Sequence, residues 1–173
     1  DPVLCLVKRC RFMPTPGSQI DICARPSRYI AADGKPFSNI IVEDTEFNSR
    51  GPTLSFTPSP IYDVTLRNCV IRDARSAGAK ARSKKGPSPV FMALNRDFGQ
   101  PDLTDNIRPK VTFENVKIVG FEDSEPLGIA DEIGKLNISK VFYGKVDWNG
   151  KPFDMSAVTY QALDLKEPKN QFI

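Results

Sequence analysis

The 173-residue sequence contains no histidine, and this absence excludes several kinds of active site. Ser-His-Asp and Cys-His catalysis both depend on an imidazole base, and histidine is the commonest metal ligand. The four cysteines form no Cys-x-x-Cys pair, so a zinc site is not expected. No apolar run approaches the roughly 20 residues that a membrane-spanning helix needs. We therefore expect neither a histidine-dependent enzyme nor a membrane partner.

The charge balance of the chain is modest. It carries 24 basic and 21 acidic residues, and the net charge of +3 does not by itself indicate a nucleic-acid partner. Apolar residues make up 40% and charged residues 26%, which argues against disorder and fits a single domain over residues 1–173. Because strand-like residues follow directly after Asp1 and Pro2, we expect the natural chain to extend upstream.

A short pattern recurs five times and is the main indication of the fold. Each copy has an apolar residue, a polar residue, a polar or turn-forming residue and a small or apolar residue, followed by a large apolar side chain. The copies begin at Val7, Val42, Leu66, Phe113 and Ile138, at spacings of 35, 24, 47 and 25 residues. Repeats with a unit of about 24 residues and two insertions are typical of a stacked solenoid. The alternation within each copy predicts strands.

A second set of strands fits the intervals between the copies. These strands are predicted at residues 19–23, 53–57, 89–94 and 126–130, with a fifth at 155–159. Each repeat would then hold three short strands, separated by turns rich in proline and glycine.

Stacking the copies in parallel tests the register, because side chains that share a column must be compatible. Three inward columns contain small or apolar residues with a single threonine: Cys5-Ile40-Val64-Val111-Leu136, Val7-Val42-Leu66-Phe113-Ile138 and Cys10-Thr45-Cys69-Val116-Val141. An outward column alternates in charge along Lys8-Glu43-Arg67-Glu114-Ser139, and another begins Arg11-Glu46. The predicted turn column is Arg9-Asp44-Asn68-Asn115-Lys140. We expect free thiols, since Cys10 and Cys69 would lie two coils, about 10 Å, apart.

Residues 64–71 (Val-Thr-Leu-Arg-Asn-Cys-Val-Ile) and 111–118 (Val-Thr-Phe-Glu-Asn-Val-Lys-Ile) resemble coils of the right-handed parallel β-helix, pectin-lyase-like superfamily. In that group an asparagine often occupies the tight turn between the second and third strands of a coil. Asn68 and Asn115 match it, Asp44 is a fair substitute, and Arg9 and Lys140 depart from it.

The resemblance implies an all-β fold: a right-handed parallel β-helix of about five three-strand coils, with loop insertions and a C-terminal capping tail. It would be the C-terminal part of a longer solenoid, with an upstream segment or an oligomer partner covering the first coil. An antiparallel sandwich is the alternative, since its strands also alternate.

In carbohydrate-active members of the superfamily the substrate commonly lies along the first strand of each coil and its flanking loops. Here the resemblance implies a surface built from residues near 19–25, 53–57, 89–95 and 126–132. If Ile20, Leu54, Val90 and Leu127 point inward, the outward row on this surface is Asp21, Ser55, Phe91 and Gly128. The candidate catalytic residues at this surface are Asp21, Arg25, Arg96, Asp97 and Asp131. The candidate ligand-binding residues are Ser55, Thr57, Asn95, Arg75, Lys84 and Lys85.

The residue types on this surface suit two kinds of polysaccharide cleavage. A glycoside hydrolase needs two carboxylates that flank the scissile bond. A polysaccharide lyase needs a base, arginine or lysine in this group, that removes the proton next to a uronate carboxyl. The lyase branch also uses carboxylates to bind calcium, so Ca²⁺ is a candidate cofactor although no metal ligands are assigned. The Gly-His motif of galacturonan hydrolases cannot occur without histidine.

The long insertion is rich in basic residues, at Arg72, Arg75, Lys80, Arg82, Lys84 and Lys85. It reads either as a solvated loop or as a clamp for a polyanionic polysaccharide. No aromatic residues interleave for base stacking, so nucleic acid is disfavoured as a partner. The sequence therefore leaves two functions open: a secreted, periplasmic or cell-surface protein that cleaves an acidic polysaccharide, or a non-catalytic carbohydrate-binding or structural module.

Overall fold

The structure is a computed structural model that describes residues 3–15, 19–22, 38–56, 62–82, 86–94, 110–125, 127–131 and 141–157. In these ranges the chain is mostly strand, with a short helix, α1 (Ala77–Arg82), and a 3₁₀ turn at Met155–Ala157. None of the helical segments described is long and apolar enough to cross a membrane. The strands are β1 (Val3–Lys8), β2 (Arg11–Phe12), β3 (Ile20–Ile22), β4 (Ser38–Glu43), β5 (Glu46–Ser49), β6 (Leu54–Phe56), β7 (Tyr62–Arg67), β8 (Val70–Asp73), β9 (Val90–Leu94), β10 (Lys110–Val119), β11 (Leu127–Asp131), β12 (Phe142–Trp148) and β13 (Lys151–Asp154).

The strands form two sheets in which neighbours come from successive repeats. The larger sheet has nine strands and follows the order β1-β4-β7-β10-β8-β5-β2, so it curls back at β10. The second sheet has four strands in the order β11-β9-β6-β3. Within the described ranges all pairs are parallel except β12 with β13. The all-β class and the parallel stacking are confirmed, and the curled sheet is compatible with a β-helix-like solenoid rather than an antiparallel sandwich.

The predicted inward columns keep their register over the first four repeats, and most of their side chains are buried from the second repeat onward, whereas Cys5 and Cys10 of the first repeat are exposed. Cys5 lies opposite Ile40, Ile40 opposite Val64, and Val64 opposite Val111. Val64 and Val111 have no exposed surface. Burial of each such side chain contributes about 1.5–3 kcal/mol, which is what holds the stacked strands together. The core joins both sheets and includes Val42, Phe47, Leu54, Leu66, Ile71, Val90, Phe113, Val116, Ile118 and Leu127.

The predicted turn column is confirmed at its first four positions. Arg9, Asp44, Asn68 and Asn115 have φ values of 54°, 49°, 52° and 51°. Positive φ is costly for most residues but least so for asparagine and aspartate. Asn68 Nδ2 donates to Asp44 Oδ1 at 3.1 Å, and Asn115 Nδ2 donates to Asn68 Oδ1 at 2.9 Å, so three turns form a hydrogen-bonded ladder. Lys140, the fifth predicted position, lies outside the described residues.

The predicted register of the fifth repeat is wrong. Phe142, not Leu136, lies opposite Val111, and Gly144 takes the place predicted for Ile138. Gly144 has φ of 96°, and a Cβ there would collide with the carbonyl oxygen of the opposing residue. A glycine inside a strand breaks the apolar alternation on which the prediction depends. β12 also has one residue where β10 has two, so the tight turn of the earlier repeats is missing.

The chain after β12 reverses direction. Asn149 and Gly150 have φ values of 52° and 81°, and they lead into β13, which pairs antiparallel with the second half of β12. The strand predicted at residues 155–159 is wrong over Met155–Ala157, which form the 3₁₀ turn. Met155 is buried there at 1% exposure, so this turn still contributes to the core.

Asn68→Ala is expected to lower the free energy of unfolding by about 1–3 kcal/mol. The substitution removes both ladder hydrogen bonds of Asn68 and places alanine at positive φ. Asn68→Gly loses the same hydrogen bonds but accepts the backbone conformation, so it should cost less. Urea denaturation of the two variants measures each contribution. An unchanged midpoint for Asn68→Ala would contradict a stabilising role for the ladder.

Candidate functional site

The surface predicted to bind substrate belongs to the second sheet. Asp21 lies opposite Ser55, Ser55 opposite Phe91, and Phe91 opposite Gly128, so these residues form one continuous row across four strands. The neighbouring row is the inner one, with buried side chains at Leu54, Val90 and Leu127. The predicted register of this sheet is therefore confirmed.

The structure brings Asp21 and Ser55 together but keeps Asp21 away from Asp131. Asp131 lies opposite Leu94, three strands across the sheet from Asp21 and three register positions farther along. At about 4.8 Å per strand and about 3.3 Å per residue, their Cα atoms are about 17 Å apart. Glycosidases hold their two carboxyl groups about 5 Å or about 6.5–9.5 Å apart. Asp21 and Asp131 therefore do not serve as such a pair with each other.

Most of the other candidate site residues lie outside the described residues. They are Arg25, Thr57, Lys84, Lys85, Asn95, Arg96 and Asp97. Their catalytic and ligand-binding roles stay predictions.

Arg75 is the candidate ligand-binding residue whose side-chain contacts the structure describes, and it bridges two carboxylates. Its Nη2 lies 2.7 Å from Asp73 Oδ2, and its Nη1 donates to Asp123 Oδ2 at 2.8 Å. The guanidinium carbon also lies 5.7 Å from the centre of the Phe121 ring. The exposed fraction is 6% for the Arg75 side chain, 0% for Asp73 and 29% for Asp123. Arg75 therefore ties the base of the insertion to the loop at 120–125, and a ligand could reach only the edge of its guanidinium.

Two glycines make room for this ion-pair cluster. A Cβ at Gly86 would lie 2.5 Å from both Arg75 Nη1 and Asp123 Oδ1, and one at Gly120 would lie 2.7 Å from Asp73 Cβ. The backbone N–H of Gly86 also donates to the carbonyl oxygen of Asp123 at 3.0 Å. The insertion at Gly86 and the loop at Gly120 thus both pack closely against the cluster. The sequence offers no motif from which this arrangement could be predicted.

The contacts within the cluster fix its charge state. Burial alone raises the pKa of Asp73, but hydrogen bonds from the side chain and backbone N–H of Arg75 and from Lys80 outweigh it and lower that pKa to about 2. A hydrogen bond from Arg75 also lowers the pKa of Asp123. The hydrogen bonds to Asp123 and then to Asp73 raise the pKa of Arg75 above its usual range. At neutral pH all three groups are charged.

Stability is expected to fall as the pH drops from about 4 to about 2. An aspartate in the unfolded chain has a pKa near 3.9, whereas that of Asp73 in the folded protein is about 2. The unfolded state therefore takes up the proton first, and acidification removes about 2 kcal/mol that this group contributes at neutral pH. Urea denaturation at a series of pH values measures the effect. Asp73→Asn should show a flatter pH dependence in this window, and an identical slope would contradict the assignment.

The described residues form no calcium-binding site. No group of three or more aspartate, glutamate, cysteine or histidine side chains is placed there to hold a metal ion. Where two carboxylates do converge, at Asp73 and Asp123, the guanidinium of Arg75 already supplies the positive charge between them. A calcium role for acids outside the described ranges stays a prediction.

The outer face of the nine-stranded sheet carries the predicted alternation of charge. Lys8 pairs with Glu43, and Glu43 Oε2 lies 3.5 Å from Arg67 Nη1. Arg67 Nε in turn donates to Glu114 Oε2. Exposed ion pairs of this kind are each worth about 0–1 kcal/mol, so they specify register more than they stabilise.

The nine-stranded sheet also carries a second cluster of polar side chains, which no sequence motif predicts. Asp63 and Lys110 lie opposite each other on β7 and β10. The Lys110 ammonium lies 5.3 Å from the centre of the Tyr143 ring. Partial burial raises the pKa of Asp63, against the lowering effect of Lys110. The group joins a carboxylate, an ammonium and an aromatic face, but it belongs to the opposite sheet from the predicted substrate row.

An open groove of about 350 Å³ lies where the turn ladder ends. Beside it, β12 has a single residue, Lys145, opposite Glu114 and Asn115 of β10. Its lining consists of Asn115, Val116, Lys145, Val146, Asp147, Gly150 and Pro152. Among the described lining residues Asp147 is the only carboxylate, and its Oδ1 accepts a hydrogen bond from the backbone N–H of Gly150 at 2.7 Å. This part of the lining offers hydrogen-bonding groups but no pair of acids.

No family model, curated protein or solved structure matches the chain. The features that bear on function are therefore the register of the two sheets, the charges on them and the resemblance of residues 64–71 and 111–118 to β-helix coils.

Proposed function

We propose that the chain is a right-handed parallel β-helix of about five coils, of the pectin-lyase-like kind, and that it binds an acidic polysaccharide as a secreted, periplasmic or cell-surface protein. The observation that carries the proposal is the second sheet, whose four parallel strands stay in register from Ile20–Ile22 to Leu127–Asp131. Such a sheet offers a flat, regular surface about 14 Å across, long enough for several consecutive sugars to meet equivalent positions on successive strands.

The charge of the chain suits a polyanionic ligand. The net charge is +3, and Lys84 and Lys85 follow soon after α1 in the insertion. The start of that insertion is held by the buried Arg75–Asp73 ion pair. A basic segment on a fixed base can clamp a uronate polymer through its carboxylates.

For catalysis we consider elimination first, because a lyase needs a single base. Hydrolysis stays the other route, since Asp97, which could pair with Asp131, lies outside the described residues. In the elimination, Arg25 or Arg96 would take the proton next to the uronate carboxyl, and the glycosidic oxygen would leave with the electrons of the broken C–O bond. The new carbon–carbon double bond absorbs in the ultraviolet.

A non-catalytic carbohydrate-binding module is the second candidate. The observation that favours it is the separation of Asp21 and Asp131, about 17 Å between Cα atoms. The two acids on the described strands of this sheet therefore do not form a catalytic pair with each other.

A panel of acidic and neutral polysaccharides tests both candidates. Binding would be followed by calorimetry, and cleavage by reducing ends and by the ultraviolet absorbance of unsaturated uronates, with and without calcium. We expect salt-dependent binding to acidic polymers that weakens at least fivefold in Lys84→Ala/Lys85→Ala. The matched control, Lys117→Ala/Lys151→Ala, removes the same charge from exposed positions on the nine-stranded sheet and should bind normally. Absorbance growth indicates the lyase, binding alone indicates the module, and failure of the folded protein to bind any acidic polymer would contradict both.

A further inference from the structure

The turn between β12 and β13 consists of Asn149 and Gly150, which form the one Asn-Gly pair in the sequence. It is a two-residue loop, because Trp148 and Lys151 on either side of it pair with each other. Both turn residues have positive φ, 52° and 81°, as the tight turns of β-hairpins require. The backbone therefore selects asparagine followed by glycine. The same pair is prone to spontaneous deamidation, because glycine has no side chain to shield its backbone nitrogen.

Deamidation is an intramolecular reaction of these two residues, and solvent water is the second reactant. The backbone nitrogen of Gly150 attacks Cγ of Asn149, the new N–Cγ bond forms and the Cγ–Nδ2 bond breaks. Ammonia leaves with the proton of the Gly150 amide, and a cyclic imide remains. Water then opens the imide at one of its two carbonyl carbons. The product is aspartate or isoaspartate, in which the backbone runs through the side-chain carbon.

In the folded protein the groups that must react are hydrogen-bonded to other partners. Asn149 Oδ1 accepts from the backbone N–H of Gly120 at 2.7 Å, and Asn149 Nδ2 donates to the carbonyl oxygen of Gly120 at 3.1 Å. The N–H of Gly150 donates to Asp147 Oδ1 at 2.7 Å. Because the carboxamide is bound at both ends to Gly120, its rotation toward the Gly150 nitrogen breaks both of these hydrogen bonds.

Gly120 is itself held in place, so the carboxamide of Asn149 has a fixed partner. The indole Nε1 of Trp148 donates to the same carbonyl oxygen of Gly120 at 3.2 Å. On the other side, the backbone N–H of Phe121 lies 3.3 Å from Asp73 Oδ2, and a Cβ at Gly120 would lie 2.7 Å from Asp73 Cβ. The loop that holds Asn149 is thus tied to the ion-pair cluster, and Asn149 becomes free to react when the turn separates from this loop.

Deamidation would prevent the turn from returning to this arrangement. The new side chain lacks the Nδ2 donor, so a carboxylate oxygen would face the carbonyl oxygen of Gly120. It would also place a second carboxylate two residues from Asp147. Isoaspartate lengthens the backbone of the turn by one carbon, which disturbs the pairing of Trp148 with Lys151.

We propose that Asn149 is a modification site: it stays asparagine while the turn is bound to Gly120, and it converts to aspartate and isoaspartate once the turn opens. The conversion is a one-way switch, because ammonia is lost and the hydrogen bond from Nδ2 cannot form again. The second half of β12 then loses the pairing that β13 provides.

Peptide mapping by mass spectrometry measures the rate of deamidation at Asn149 in the folded protein at mildly alkaline pH. The free peptide with the sequence of residues 145–154 gives the rate without the contacts to Gly120. We expect the folded protein to react at least tenfold more slowly, since two hydrogen bonds to Gly120 must break first. Equal rates in the protein and the peptide would overturn the proposal.

Asp147→Ala tests the turn itself and not folding in general. It removes the acceptor of the Gly150 N–H and should speed deamidation of the folded protein at least threefold. The matched control, Glu122→Ala, removes a carboxylate that is 68% exposed on the loop after Gly120 and should react at the parental rate. Circular dichroism confirms that both variants are folded. A slower reaction in Asp147→Ala would mean that this carboxylate assists the attack as a base, and it would overturn the proposal, as would an equal rise in both variants.

Trp148 is the single tryptophan of the chain, so its fluorescence reports the state of the turn. Its indole donates to Gly120 and contacts the ring of Phe153, with 5.7 Å between ring centres. Anion exchange separates the deamidated protein by its added negative charge. The tryptophan emission of this fraction should shift to longer wavelength, and Asn149→Asp should shift it in the same direction. Parental emission in either sample would overturn the proposal.

Discussion

Val116→Asp is expected to abolish folding. Val116 is 1% exposed and lies in the middle of β10, the strand that joins the two halves of the nine-stranded sheet. An aspartate there would bury a carboxylate among apolar neighbours with no charged partner, at a cost of several kcal/mol. Since domains of this size are stable by only about 5–15 kcal/mol, this cost removes most or all of the stability. Far-ultraviolet circular dichroism and thermal denaturation should show no cooperative transition.

Val119→Asp provides the matched control on the same strand. Val119 is 41% exposed, so its carboxylate would stay hydrated and the melting temperature should change by no more than a few degrees. If both variants melted like the parent protein, β10 would not lie at the centre of the core. If both failed to fold, the effect would come from aspartate in a strand and not from burial.

Asp73→Ala is expected to destabilise the protein by about 3–5 kcal/mol. The substitution leaves the nearly buried guanidinium of Arg75 with Asp123, the more exposed of its two carboxylate partners in the described chain. It also removes the acceptor of the Phe121 backbone N–H, which lies 3.3 Å from Asp73 Oδ2. Urea denaturation at neutral pH measures the loss.

The double variant Asp73→Ala/Arg75→Met tests whether the unpaired charge of Arg75 causes the loss of stability. It replaces the buried pair with apolar side chains, so the charged group left without Arg75 is Asp123, which is 29% exposed and stays partly hydrated. The double variant should therefore be more stable than Asp73→Ala alone. Asp123→Ala, which removes the partner that is 29% exposed, should cost less than Asp73→Ala. A double variant that is less stable than Asp73→Ala would contradict the view that an unpaired Arg75 causes the loss.

The parallel columns could be predicted because their side chains repeat in kind from one copy to the next. Val64 and Val111, or Leu66 and Phe113, occupy equivalent places in segments that differ mainly in polar residues. The turn column was predictable for the same reason, since asparagine or aspartate marks positive φ. The predicted register of the fifth repeat was wrong because Gly144 has no side chain that would mark an inward position. The nearby Ile138 is apolar and fitted the column better.

The ion-pair cluster could not be predicted from the sequence. Asp73 and Asp123 meet at Arg75 only because the insertion folds back beside the loop at 120–125. The spacing of the repeats predicts the stacked strands but not the conformation of an inserted segment. Of the candidate site, the row that contains Asp21 and Ser55 followed directly from strand register. The roles of Arg25, Arg96 and Asp97 depend on loop conformation, which register does not determine.

The antiparallel hairpin of β12 and β13 interrupts the parallel stacking of the described chain. In the second half of β12, the backbone groups that would accept another parallel strand are already bonded to β13. A further parallel strand therefore cannot add beside this half of β12, and the hairpin protects it from the edge-to-edge pairing that leads to aggregation.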